Sequence, residues 1–179
     1  MPHFDDTSAD CLVLTYKEGL LSAVAHDLEI QVTRFEVDVG ADPLSVQARF
    51  QASSLRVTGA VQDGAVSPGK LSGGDREKIE HSILTEVLHA AEHPEISFAS
   101  TSVTPEGDAY RIAGDLTLHG RTRSISFVCR PEGEGLVARV RLHQPDFGIK
   151  PYSAMLGTLK IKPDVTVVVA LPRAGLPPR

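Results

Sequence analysis

Polar and apolar residues alternate along most of this chain. Gly114-Asp115-Leu116-Thr117-Leu118 and Arg121-Thr122-Arg123-Ser124-Ile125-Ser126-Phe127-Val128-Cys129 flank a turn at His119-Gly120, with apolar side chains at every second position. That is the pattern of a β-hairpin with one buried face. The same period predicts strands over 11–17, 26–39, 44–52, 95–103, 109–118, 124–130, 136–143 and 165–171, with turns at Asp42-Pro43, Pro105-Glu106-Gly107 and Glu132-Gly133-Glu134-Gly135. Inside 26–39 the phase slips by one residue near Thr33-Arg34, which predicts a β-bulge. About eight strands joined mostly by short connections describe a mainly β protein, an antiparallel β-barrel. A barrel of that strand number has an interior that side chains fill or that holds one small ligand.

Two segments break the period. Residues 58–74 hold five Gly and one Pro and predict a long loop, a kind of segment that is often functional. Next, Ser72-Gly73-Gly74-Asp75 supplies a helix N-cap, and Ile79, Ile83, Leu84, Val87 and Leu88 form one apolar stripe at helical spacing. One amphipathic α-helix is predicted over about 75–91, with Pro94 setting its latest end.

Composition narrows the picture. At 179 residues, 41% hydrophobic and 23% charged, the chain reads as a single domain over 1–179 with short flexible termini at 1–10 and 172–179. A net charge of -5 argues against a nucleic-acid partner, because phosphate binding draws on clustered Lys and Arg. No apolar run approaches the ~20 residues that span a bilayer, so no integral membrane segment is expected. The first ten residues are acidic and lack the basic and apolar regions of a secretory leader, which sets a cytoplasmic expectation. Cys11 and Cys129 both fall on strands and read as reduced, small core residues.

The inward positions are Ile30, Val32, Phe35, Val37, Val46, Phe50, Phe98, Ile112, Leu116, Leu118, Phe127, Val140 and Val167. Such a lining suits an alkyl or polyprenyl chain, but alternation alone describes a filled barrel equally well. Arg121 and Arg123, with Lys150, Lys160 and Lys162, flank turns and are candidates for a polar head group. His26-Asp27 heads a strand, where an imidazole oriented by a carboxylate could contact a ligand or act as a base, with Tyr110 or Tyr152 as a candidate partner in proton transfer. His81, His89 and His93 lack convincing metal-ligand spacing, while His119 and His143 read as solvated strand-end residues. Nucleophile elbows, Cys-His signatures and phosphate loops are missing, so neither catalysis nor a cofactor is indicated.

Several pieces in order resemble the YceI-like family, lipocalin-like barrels that bind polyisoprenoids. They are Ser22-Ala23-Val24-Ala25-His26-Asp27-Leu28, Ser53-Ser54-Leu55-Arg56-Val57, His93-Pro94-Glu95-Ile96-Ser97-Phe98, Gly114 to Arg123, and Asp146-Phe147-Gly148-Ile149. The resemblance spans roughly 11–171 and implies a hollow lipocalin-like barrel for a long-chain isoprenoid or other lipid. The implied role is non-enzymatic binding, transport or storage. Relatives are often periplasmic, and before the helix they show an Arg-Asp-x-x-Leu pattern that Gly73-Gly74-Asp75-Arg76-Glu77-Lys78-Ile79 only approximates. Two other classes stay open: a small barrel enzyme using His26 and Asp27, and a filled barrel that engages a partner protein. A homodimer through exposed strands or the helix fits a barrel of this size, though no self-complementary patch is legible.

Overall fold

Two very short connections dictate the shape of this protein. The computed structural model describes residues 1–18, 26–154, 157 and 159–177; Ser22 to Ala25 of the first family-like piece lie outside them. In chain order the strands are β1 His3–Asp5, β2 Asp10–Thr15, β3 Lys17–Glu18, β4 Asp27–Val32, β5 Phe35–Ala41, β6 Leu44–Gln51, β7 Leu55–Gln62, β8 Ala65–Ser67, β9 Glu95–Glu106, β10 Ala109–Leu118, β11 Arg121–Glu132, β12 Gly135–His143, β13 Ser153–Ala154, β14 Leu159–Ile161 and β15 Asp164–Pro172. Twelve form one antiparallel sheet in the order β1-β5-β6-β9-β10-β11-β12-β15-β2-β4-β7-β8, and β13-β14-β3 form a small second sheet.

In that order β4 and β5 stand eight strands apart, about 38 Å if the sheet were flat. Yet only Thr33 and Arg34 join them, a span of about 10 Å at full extension. The sheet must therefore curl until its ends approach. The return connection, Ala52–Ser54 between β6 and β7, meets the first at a hydrogen-bonded corner. There the Thr33 N–H and hydroxyl both donate to the Ser54 carbonyl, at 3.0 and 2.8 Å, and the Gln51 N–H donates to the Arg34 carbonyl at 3.0 Å. The buried Ser54 hydroxyl accepts from the Arg34 N–H (3.1 Å) and donates to the Gln51 carbonyl (2.8 Å).

The helix α1, Gly73–Ser82, starts at a full capping box: Ser72 Oγ accepts the Asp75 N–H, and the Asp75 carboxylate accepts the Ser72 N–H. It runs on as a π-turn over Ile83–Val87. Ile79 and Ile83 pack with Leu28, Ile30 and Val57 near one end of the sheet, and the Glu80 carboxylate accepts the Val57 N–H at 2.9 Å.

Several sequence expectations are corrected. There are fifteen strands among the described residues rather than about eight, because the predicted strands are divided and short ones are added. The helical segment covers 73–87, not 75–91; His89, in the left-handed region at φ 46°, turns the chain before Pro94. The phase slip at Thr33-Arg34 is the corner between two strands, while register shifts fall at Glu29/Ile30 and Ala113/Gly114. The expected loop 58–74 contains most of β7 and all of β8, joined at Asp63-Gly64, both with positive φ as a type I′ hairpin turn requires. Its period is hidden because Gly59 lies so close to Val66 that a Cβ would sit 2.8 Å from a Val66 methyl. The N-terminus is not loose either: β1 pairs with β5 and buries Phe4.

Candidate functional site

Cross-strand neighbours face the same side of a sheet, so inward residues line up as belts around the concave face. One belt is Val37, Ala48, Phe98 and Leu116 across β5, β6, β9 and β10; another is Val140, Val167, Val13 and Ile30 across β12, β15, β2 and β4. All eight border an inner cavity of about 260 Å³. Its wall is apolar except for Thr15, Gln144 and the thiols Cys11 and Cys129. Ile83, Val87 and Leu88, from the π-turn and the residue after it, complete that wall.

A second, outer cavity of about 470 Å³ lies between α1 and the small sheet. It shares Thr15, Ile30, Ile83, Val87 and Gln144 with the inner one, so the two meet across these side chains. Its remaining wall is mixed: His26, Leu28, Lys70, Leu71, Asp75, Lys78, Ile79, Ser82, Tyr152 and Ile161. The Gln144 amide donates to the Lys162 carbonyl at 3.2 Å, which holds that side chain at the junction.

Of the inward residues expected from sequence, Ile30, Val32, Val37, Val46, Phe50, Phe98, Ile112, Leu116, Leu118, Phe127, Val140 and Val167 border the inner cavity. Phe35 does not; it is buried and stacks on Phe50 with ring centroids 5.9 Å apart. His26 borders the outer cavity together with Tyr152. Asp27 borders neither cavity, and its Oδ1 accepts the Lys17 N–H at 2.7 Å. Arg121 and Arg123 border neither cavity: Arg121 lies over Gly148, and Arg123 Nε donates to the Asp146 carbonyl at 3.1 Å.

Burial pushes the Cys11 thiol up to about 12 and the Cys129 thiol to about 11, so both stay protonated and poorly nucleophilic. His119 is not the solvated residue that its place in a turn suggests. Its ring lies 4.7 Å from that of His93 and 5.4 Å from that of His89. Nδ1 faces the Phe147 carbonyl at 3.2 Å, and Nε2 is buried without a hydrogen-bond partner. Burial first, then electrostatic repulsion from His93, His89 and Arg121, lowers its pKa below the ordinary histidine value. Among the described residues no group of three or more His, Cys, Asp or Glu side chains has the geometry to hold a metal ion.

The YceI-like domain model matches residues 13–172, nearly the whole curled sheet. The chain belongs to the YceI-like family. A UPF0312 protein of Pseudomonas putida is 33% identical over 102 residues, covering 51% of this chain and 52% of that protein. Protein YceI of Escherichia coli O157:H7 is 37% identical over 59 residues, 33% of this chain and 31% of its own. The matched segments thus span about half or less of the curated relatives' lengths. Among solved structures, BcnA of Burkholderia cenocepacia superposes with a TM-score of 0.64 at 13% identity, covering 91% of this chain and 94% of BcnA. A polyisoprenoid binding domain from Saccharophagus degradans implicated in plant cell wall breakdown superposes at 0.62 with 11% identity, covering 96% and 97%. At those identities the likeness is one of fold: a lipocalin-like curled antiparallel sheet.

This YceI-like chain also draws on residues that sequence reasoning did not single out. Val13, Thr15, Val165 and Val169 lie on strands where apolar residues run nearly unbroken, so alternation could not tell their two faces apart. Lys70, Leu71 and Lys78 carried no signal of a site, since a lysine just before a helix or on it ordinarily faces water.

Proposed function

We propose that this protein binds a long apolar lipid in its inner cavity and acts as a non-enzymatic carrier or store for it. Polyisoprenoids, isoprenoid quinones and fatty-acid derivatives are the ligand classes that fit. The observation that carries this reading is the inner cavity, walled almost wholly by carbon from nearly every strand of the curled sheet and adjoining a larger outer cavity across shared side chains. Its volume and that of the outer chamber lie near or within the roughly 300–1,000 Å³ typical of small-molecule sites. Each methylene moved from water into such a wall contributes about 0.8 kcal/mol, so one isoprene unit contributes about 4 kcal/mol before ordering costs. Family membership supports the reading, as does the Saccharophagus degradans neighbour, whose own description is polyisoprenoid binding. That no enzymatic role is proposed rests on the wall itself: apart from Thr15 and Gln144 the inner cavity carries only thiols as reactive groups, and burial holds those protonated.

Native mass spectrometry of the purified protein, followed by organic extraction, tests this directly. A stoichiometric added mass that extracts as a prenyl or acyl lipid is the expected result. A bare protein that also takes up no added prenyl or acyl lipid would overturn it.

A further inference from the structure

We propose that the outer cavity is the head-group subsite of the carried lipid and that Lys70 and Lys78 select an anionic head group, phosphate or carboxylate, over a neutral one. The inference rests on the carrier reading and adds to it the chemistry of the ligand's polar end. It starts from the change in wall between two adjoining cavities that share five side chains. The inner cavity is carbon, the junction carries only Thr15 and Gln144 as polar residues, and the outer cavity adds Lys70, Lys78, His26, Tyr152, Ser82 and Asp75. A ligand with its chain inside the sheet and one polar end would place that end among these groups.

The charges there favour an anion. Two lysines, Lys70 and Lys78, border the chamber, and Asp75 is its only acidic residue among the described residues. Asp75 is already occupied by the capping box: the Ser72 hydrogen bond, and then the charge of Lys78, hold its carboxyl below the usual range. Leu71 and Asp75, both on this wall, bracket the N-cap Ser72, so the positive end of the α1 dipole lies on the same rim. His26 and Tyr152 put an imidazole and a phenol on the same wall as further hydrogen-bonding groups. Lys70 makes no ion pair among the described residues. Arg121 and Arg123, the basic residues that the sequence favoured for this task, are engaged with Gly148 and Asp146 outside both cavities.

Titration calorimetry with three ligands that share one chain, farnesyl phosphate, farnesoic acid and farnesol, tests the proposal. The wild-type protein should bind both anionic ligands about tenfold more tightly than farnesol, the scale of one hydrogen bond to a charged group. The preference should shrink at high salt, because the rim is open to screening ions. In the double variant Lys70→Gln/Lys78→Gln the preference should vanish while farnesol affinity stays unchanged. Both lysines are exposed, and an unchanged melting temperature verifies the fold. Equal binding of all three ligands by the wild type, or a preference that survives in the double variant, would overturn the head-group subsite and leave the carrier reading intact. Preference for only one anion would name the head group. If no ligand binds, the carrier reading falls and the subsite falls with it.

Discussion

Replacing Val167 by Phe separates a hollow interior from a filled one. Val167 sits mid-strand in β15 between Val140 and Val13, and all three border the inner cavity. The change adds about four carbons. In a packed core, overpacking of this kind costs about 1–3 kcal/mol. In the hollow interior seen here the ring enters existing space. At about 24 cal/mol per Å³, filling about a fifth of the 260 Å³ returns up to ~1 kcal/mol. For a chain of this size 1 kcal/mol corresponds to about 2–4 °C, so the melting temperature should hold or rise by up to ~4 °C. Lipid binding should move the other way. Displacing about four ligand carbons at about 0.8 kcal/mol each costs roughly 3 kcal/mol, a loss of about a hundredfold in affinity. Differential scanning calorimetry of the delipidated protein and titration with a prenyl lipid give the two numbers. A clear fall in melting temperature with unchanged lipid affinity would show that the interior is filled and that the cavity argument is wrong.

The remaining predictions concern the corner and the thiols. Ser54→Ala strips the Arg34 N–H and the Gln51 carbonyl of their shared hydroxyl in a buried corner, and should cost about 1–3 kcal/mol by denaturant unfolding. A change under about 0.5 kcal/mol would mean that backbone bonds alone close the sheet. Cys11, raised to about 12 by burial, should resist iodoacetamide in the folded protein at pH 8, where its thiolate fraction is about 10⁻⁴, and react fully once unfolded. Because its folded pKa lies above its unfolded value of 9.0, its contribution to stability is complete below pH 9 and is lost as pH rises from there toward 12. Unfolding curves for the wild type and Cys11→Ala should therefore differ in alkaline slope above pH 9; parallel curves would show that Cys11 is not buried as described.

Much of the fold was legible because its signals are local. The period of two along 109–118 and 124–130 assigns those strands and their inner faces without any partner strand, and β10 and β11 pair as that period demands. The stripe Ile79, Ile83 and Val87 likewise announced which face of the helical segment meets the sheet. Where one residue answers to two constraints, the local signal failed. Gly59 interrupts the alternation of β7 because Val66 comes too close for a side chain, and His89 ends a helix that the apolar stripe would have continued.

The sequence by itself determined that most segments are strands, that one amphipathic helix interrupts them, and that the inner faces are carbon-rich and suited to a lipid. Only the tertiary structure decided that the sheet curls through the Thr33-Arg34 and Ser54 corner and leaves space inside. It also decided that Lys70 and Lys78, rather than Arg121 and Arg123, stand where that space opens. Alternation reports the environment of a side chain relative to its own strand. The distance between β4 and β7 on one side and β5 and β6 on the other, and the group that crosses it, depend on residues far apart in the chain, and no local period carries that information.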